Sequence, residues 1–90
     1  MPIPATVADK IFDILIREAG AYESERVNFT FAQRDGCTEY RFCGYLGFGG
    51  KFWNYLDKWY VTCYKEDETP ERLEIINRTN EALQKLERDT

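Results

Sequence analysis

The chain has 90 residues, a formal net charge of −4 and no histidine. This length predicts a single domain over residues 1–90, whose small core leaves little room for a deep catalytic cleft. The missing histidine removes the commonest general base and the commonest metal ligand. These properties favour a binding protein over an enzyme, and we expect no cofactor and no metal site.

Charge is distributed unevenly along the chain. Residues 1–25 carry five acids and two bases (net −3), residues 26–65 three acids and six bases (net +3), and residues 66–90 eight acids and four bases (net −4). Solvated acidic helix faces would explain the two ends. A second interpretation is that the two layers of the fold present opposite potentials to different partners.

Targeting signals are not apparent in the sequence. No apolar run approaches the length of a membrane span, and the N-terminus lacks the basic and apolar regions of a secretory signal. Cys37, Cys43 and Cys63 are an odd number and form no Cys-x-x-Cys pair, which indicates reduced thiols. A Cys43–Cys63 bridge is the alternative. We therefore expect a cytoplasmic protein that does not contact a membrane.

The first predicted element is an amphipathic helix. Val7, Ile11, Ile14 and Leu15 fall on one helical stripe, which predicts a helix from about Ala5 to Ala19. Gly20 follows as a natural C-terminal stop.

The next segment, Arg26 to Gln33, alternates between apolar and polar residues. Val27, Phe29 and Phe31 would point to one side, which predicts a half-buried strand. Asp35-Gly36 follows, and this dipeptide between two strands is a strong signal for a tight turn.

Alternation predicts a second strand from Thr38 to Leu46, with Tyr40, Phe42 and Leu46 facing the core. A hairpin turn is expected at Gly49-Gly50. It leads into a short strand from Lys51 to Leu56 and a turn or kink at Asp57-Lys58. Residues 59–65 then form a fourth strand or the second half of a long, bent third one.

The last predicted element is a helix that runs to about Glu87. Thr69 can cap its first turn, and Pro70 suits the first helical position. Leu73, Ile76, Leu83 and Leu86 recur at helical spacing.

This order predicts an α+β fold. We expect a two-layer sandwich (α-β-β-β(-β)-α) in which a three- to four-stranded antiparallel meander sheet carries the N- and C-terminal helices on one face. The opposite face would then meet solvent or a partner, with strand parity placing there Arg26, Asn28, Thr30, Arg41, Cys43, Tyr45, Lys58, Tyr60, Thr62 and Tyr64.

The familiar catalytic and nucleotide-binding motifs are not found. Gly50-Lys51 is followed by Phe52, which fits neither a phosphate loop nor a dinucleotide fingerprint. The acids at 66–68 are adjacent to a predicted helix start, where they are expected to act as capping charges.

Aromatic density is the strongest functional signal. Ten of the 14 aromatic residues lie between Tyr40 and Tyr64. Tyr and Arg commonly anchor protein interfaces because they bury area while keeping a polar tip. The sequence thus predicts a protein-binding face or patch that comprises Arg41, Tyr45, Phe48, Phe52, Trp53, Tyr55, Lys58, Tyr60 and Tyr64.

In size and general architecture the chain resembles small accessory proteins of bacteriophages and mobile elements, including anti-CRISPR proteins and other inhibitors of host defence. No motif supports this resemblance, which rests on size and general architecture alone. It implies inhibition of a host complex through protein–protein binding.

Other interpretations remain open at this point. Basic and aromatic residues on a sheet also suit single-stranded nucleic acid, although the net charge opposes it. Carboxylates on the helices would suit an acidic decoy, and an edge strand or the tyrosines would suit a homodimer. Alternatively, the tyrosines serve only as stabilising cross-strand pairs.

Overall fold

The computed structural model describes residues 2–45 and 49–89. Three helices and three strands follow in chain order: α1 (Ala5–Ala19), α2 (Arg26–Arg34), β1 (Glu39–Cys43), β2 (Gly49–Tyr55), β3 (Lys58–Cys63) and α3 (Pro70–Asp89). Short 3-10 turns precede α2 and α3, at Glu23–Glu25 and Lys65–Asp67. Within these residues, none of the helices has the length and apolar character needed to span a bilayer.

The strands form an antiparallel meander in the order β1-β2-β3. One face is apolar, and its Tyr40, Phe42, Phe52 and Val61 contribute to the core that the helices cover. On that face α1 packs between α2 and α3, and α3 packs along β3. The predicted α+β two-layer sandwich is confirmed, with three strands in the sheet.

Helix α1 has the predicted bounds. Ile11, Phe12 and Leu15 are fully buried, as expected for the core-facing stripe of an amphipathic helix. Gly20 ends the helix at a φ of 69°, and its N–H donates to the carbonyl of Ile16. A left-handed residue in this position favours glycine, which has no Cβ to clash.

The strand predicted over residues 26–33 is wrong, because this segment forms α2. Only Phe29 of its three alternating apolar residues is buried, whereas Val27 is 76% and Phe31 64% exposed. The Phe29 ring lies 5.2 Å from that of Phe12 and 5.1 Å from that of Phe52. Helices α1 and α2 therefore each contribute one aromatic residue to the core, and Arg26, Asn28 and Thr30 do not belong to the sheet.

Arg26 connects the start of α2 to α1. Its guanidinium donates to the carboxylates of Asp9 and Asp13 at 2.6 Å each and to that of Glu23 at 2.8 Å, and it lies over the Phe12 ring. The hydrogen bond with Glu23 raises the pKa of Arg26 and lowers the pKa of Glu23. Since the pKa of Glu23 is lowered on folding, its contribution to stability is present above the unfolded pKa and is lost as pH falls through the folded one.

Asp35-Gly36 does not join two strands. It ends α2: Gly36 has a φ of 84°, and the Gly36 and Cys37 N–H groups donate to the carbonyls of Gln33 and Ala32. The same residues that suit a hairpin turn also suit a helix C-terminus, since both need positive φ.

The hairpin turn predicted at Gly49-Gly50 is also wrong, because both glycines lie within β2. Gly50 pairs with Phe42 of β1. A Cβ on Gly50 would lie 2.9 Å from Phe42 Cζ and 3.1 Å from the Thr62 carbonyl oxygen. Glycine is used here for close packing of a buried ring.

The β2–β3 turn lies at Leu56-Asp57, one residue before the predicted position. Tyr55 pairs with Lys58, and the two residues between them have φ values of 49° and 64°. Positive φ at both central residues is the type I′ geometry, which normally takes Asn-Gly. Leu56 is 76% exposed, so its side chain gains little burial in return for this strained backbone.

Replacing Leu56 with asparagine is expected to raise the free energy of unfolding by about 1 kcal/mol, because a left-handed backbone costs a branched L-residue roughly 1–2 kcal/mol. Urea denaturation measures this change. Leu73→Asn is the control, since this exposed leucine lies in helix α3 and its replacement should not stabilise the protein. Equal effects at both positions would refute backbone strain at Leu56.

Helix α3 protects the free edge of β3. Asn80 accepts from the Val61 N–H at 2.7 Å and donates to the Val61 carbonyl at 3.0 Å. Glu87 accepts from the backbone N–H of Trp59 at 2.9 Å. The predicted cap is confirmed, since Thr69 Oγ1 accepts from the Arg72 N–H. Side chains of one helix thus replace a fourth strand, and the exposed edge is blocked against pairing.

Gln33 is a buried amide in the core-facing part of α2. It is fully buried, and neither its Oε1 nor its Nε2 has a hydrogen-bond partner among the described residues. Each such buried group costs about 1–3 kcal/mol.

Gln33→Met keeps the length of the side chain and removes both unpaired groups. We expect it to raise the free energy of unfolding by about 1–2 kcal/mol, measured by urea denaturation. A loss of stability would show that the amide is hydrogen-bonded in solution.

Candidate functional site

The face of the sheet opposite the helices is not covered by any described element. We call it the outer face. Strand register places on it, in order along each strand, Glu39, Arg41 and Cys43 of β1, Gly49, Lys51, Trp53 and Tyr55 of β2, and Lys58, Tyr60 and Thr62 of β3. Tyr64 continues this face just beyond β3, where its ring lies beside Gly49.

Trp53 is the centre of an aromatic row. Its ring stacks on that of Tyr60 across the strands, with centroids 6.1 Å apart and planes 14° apart. The indole N–H donates to Thr62 Oγ1 at 2.9 Å. Tyr55, two residues on, is 57% exposed. The row is therefore held in a fixed arrangement, which limits the entropy that these side chains would lose on binding.

Lys51 joins this row to a second aromatic residue. Its ammonium lies 5.7 Å from the centre of the Trp53 ring and 5.4 Å from that of Tyr64. Both distances are within the range of cation–π attraction. The lysine charge is thus positioned over the middle of the outer face by aromatic rings on two sides.

The outer face carries a net positive charge in an acidic protein. Arg41, Lys51 and Lys58 supply three cations, and Glu39 is the one carboxylate among the outer-face residues, giving +2 against −4 for the whole chain. Glu39 accepts from Arg41 Nε at 3.1 Å. This hydrogen bond raises the pKa of Arg41. Two of the three cations, Lys51 and Lys58, have no carboxylate partner among the described residues.

A depression of about 330 Å³ lies at one end of this face. Gly49 lines it together with Tyr22, Arg41, Cys43, Tyr64 and Asp67. A Cβ on Gly49 would lie 3.2 Å from the Phe42 carbonyl oxygen, so the missing side chain both permits the pairing with β1 and leaves the depression open. Its volume is sufficient for one apolar side chain of a partner.

The structure brings together most of the predicted binding residues. Arg41, Trp53, Tyr55, Lys58, Tyr60 and Tyr64 share the outer face. The inward orientation on which this prediction rests is confirmed in β3, where Val61 is buried and Trp59 and Cys63 pack against the core.

Two of the described residues in the predicted site do not belong to this face. Phe52 is fully buried in the core, so the exposure predicted for it is wrong; it neighbours Trp53 in the chain and therefore points the other way. Tyr45 is exposed, but it lies at the end of α1, with its ring 4.9 Å from that of Tyr22 and its N–H bonded to the Gly20 carbonyl. Phe48 lies outside the described residues.

Lys51 was not among the binding residues predicted from the sequence. Strand alternation continued back from Trp53 would have placed it on the outer face, but the turn predicted at Gly49-Gly50 put it at the first position of a strand. Glu39 and Gly49 were also missed, because an acidic and a small residue gave no signal of binding. Thr62 was correctly placed on this face by strand parity but was not included among the binding residues.

Tyr40, the remaining tyrosine of the sheet, has a structural role. Tyr40 lies on the covered face, and its hydroxyl donates to Glu25 at 2.7 Å. Burial and this hydrogen bond raise the pKa of Tyr40. In the described ranges, no group of three or more acidic, cysteine or histidine side chains has an arrangement suited to a metal ion.

Fold and site together define a small two-layer α+β domain with one uncovered sheet face that is both aromatic and basic. Comparison with protein-family models, with curated proteins and with solved structures finds no match. The function is therefore argued from the outer face itself.

Proposed function

We propose that this protein is a non-catalytic binding module that recognises an acidic surface of another protein through the outer face of its sheet. One observation carries the proposal: Trp53, Tyr55, Tyr60 and Tyr64 lie with three cations on the face that no described helix covers. Aromatic residues and arginine are enriched where protein interfaces gain most of their energy.

The arrangement of the rings favours protein over nucleic acid. A base-stacking platform needs aromatic ring faces that are open to the bases. The Trp53 ring is instead stacked on Tyr60 and approached by the Lys51 ammonium, and its indole N–H is bonded to Thr62. Rings braced in this way present a shaped, rigid surface, which suits a complementary protein surface.

Charge specifies the partner more closely. Lys51 and Lys58 favour carboxylates on the partner, because complementary charge steers association and fixes register. The depression above Gly49 suits a single apolar side chain at one end of the contact. We therefore expect a partner surface that combines Asp or Glu residues with one protruding apolar anchor.

A finer prediction is that the chain is a bacteriophage or mobile-element protein that inhibits a host complex. This prediction depends on the identity of the partner. It follows from the resemblance of type and remains a prediction. A homodimer remains a second outcome, in which the outer face would bind acidic residues of another copy. Light scattering distinguishes self-association from binding to a different protein.

Affinity capture from cells of the source organism tests the proposal. The variant is Trp53→Ala with Tyr55→Ala, which removes the aromatic row, and a second variant, Lys51→Glu, reverses the central charge. Phe31→Ala is the control, because Phe31 is an exposed aromatic residue, comparable in exposure to Tyr55, that lies on α2 instead of the sheet.

We expect a protein that wild type and Phe31→Ala retain and that both outer-face variants lose. Its retention should fall as salt rises, since charge contributes to the contact. Identical recovery by all variants would exclude the outer face. If nuclease treatment releases the captured material, or if the face binds labelled single strands with salt dependence, nucleic acid is the ligand and the proposal is wrong.

A further inference from the structure

A second concave site lies on the other side of the sheet, away from the outer face. It is a cleft of about 310 Å³ between the N-terminal segment, the β2–β3 turn and the end of α3. Pro4, Val7 and Trp59 give it apolar walls, and Asp57 and Glu87 contribute carboxylates. Its volume lies at the lower end of the range for small-molecule sites.

The two carboxylates lack a cationic partner. Like most acids of the chain, Asp57 and Glu87 form no ion pair with any residue in ranges 2–45 and 49–89. Glu87 is fixed in place because its carboxylate accepts a hydrogen bond from the backbone N–H of Trp59 at 2.9 Å. The type I′ turn sets the backbone of Asp57. Both carboxylates thus line the cleft, and neither is within ion-pair distance of a cation in the described ranges.

The combination with Trp59 defines the chemistry of the ligand. An indole ring attracts cations more strongly than other aromatic side chains. Proline and valine walls suit an apolar stem, and carboxylates suit a charged end. A metal ion would need a fuller set of oxygen ligands than two carboxylates on an apolar wall provide.

We propose that this cleft binds an alkylammonium group on an apolar stem, the chemistry shared by a lysine side chain and a free aliphatic amine. The ammonium lies against Asp57, Glu87 and the Trp59 ring, and the stem packs on Pro4 and Val7. This site is separate from the outer face and does not depend on the function proposed for it.

A titration monitored through the NMR signal of the Trp59 indole N–H tests the site. The Trp53→Phe variant is used only to assign that signal. The probes are n-butylammonium and a blocked lysine, N-acetyl-lysine methylamide. Neutral n-butanol and N-acetyl-norleucine methylamide are their uncharged counterparts. We expect saturable shifts with both cationic probes and none with the neutral ones, and tighter binding of the blocked lysine would identify a peptide as the source.

The variant is Asp57→Asn with Glu87→Gln. Asparagine tolerates the positive φ of residue 57, and glutamine keeps an oxygen for the Trp59 N–H, so the fold should be retained. Glu74→Gln with Glu81→Gln is the control of equal net charge, since both residues are exposed and do not line the cleft. We expect the cleft variant to bind the cationic probes about tenfold more weakly or worse.

Three results would overturn the proposal. The first is the absence of a saturable Trp59 shift with either cationic probe. The second is an equal shift with the neutral probes, which would indicate an apolar site only. The third is equal weakening by the control pair, which would indicate attraction to the overall charge of the protein.

Discussion

Replacing Phe52 with alanine is expected to lower the free energy of unfolding by about 3–5 kcal/mol, the usual cost of truncating a buried aromatic residue. Phe52 is fully buried, is paired between Tyr40 and Val61, and packs edge-on against Phe29. Truncation would leave a cavity at the point where α2 meets the sheet. For a domain of this size, this is a large share of the total stability.

The matched control is Trp53→Ala, one residue further along β2. Trp53 is only half-buried and lies on the outer face, so its truncation leaves no closed cavity and should cost clearly less. Urea denaturation compares the two, and Phe52→Leu provides a smaller change if the alanine variant does not fold. An equal or larger loss for Trp53→Ala would contradict the assignment of the two sheet faces.

Asn80→Ala has the second-largest expected effect. It removes both hydrogen bonds to Val61 of β3 and leaves a backbone N–H and a carbonyl without partners. At roughly 1–3 kcal/mol for each such group, we expect a loss of about 2–4 kcal/mol. The newly exposed strand edge should also promote self-association, which light scattering measures.

Asn77→Ala is the control for Asn80→Ala. Asn77 is exposed, lies on the same helix and loses the same side-chain atoms when replaced. We expect it to change stability by no more than about 0.5 kcal/mol. Alanine is the better helix former, so helix propensity cannot explain a loss in either variant. Similar losses for the two variants would show that the effect of Asn80→Ala does not arise from its hydrogen bonds to the strand edge.

The terminal helices could be predicted because local signals and tertiary packing agree there. The stripe of Val7, Ile11 and Leu15 faces the core, and Gly20 provides the left-handed residue that ends α1. At α3, Thr69 caps the first turn as its position before Pro70 implies. Such agreement between levels is what allows a sequence to specify a fold.

Helix α2 could not be predicted because its apolar residues mislead. Val27, Phe29 and Phe31 alternate as in a strand, yet two of them are exposed and only Phe29 is used by the core. The helix instead makes contacts with distant parts of the chain: Phe29 packs against Phe12 and Phe52, and Arg26 bonds to Asp9 and Asp13 of α1. Arg26 lies 13 positions from Asp13 and 17 from Asp9 in the chain, so these ion pairs produce no local periodicity in the sequence.

The site was predicted in outline and misjudged in detail. Alternation placed Arg41, Tyr60 and Tyr64 correctly on the uncovered face. It failed at the start of β2, because Gly49-Gly50 has the composition of a turn but is needed for close packing under Phe42. Once β2 begins at Gly49, Phe52 faces the core, and Lys51 joins Trp53 on the outer face.

The central claim is that the outer face contacts a protein, and photocrosslinking tests it most directly. A benzophenone amino acid is placed at Tyr60 on the outer face or at Phe31 on α2, and the protein is irradiated in cells of its source organism. The account predicts a nuclease-resistant protein adduct from position 60 that Lys51→Glu abolishes, with no such adduct from position 31. An adduct from position 31 alone, or an adduct from position 60 that nuclease removes, would contradict it.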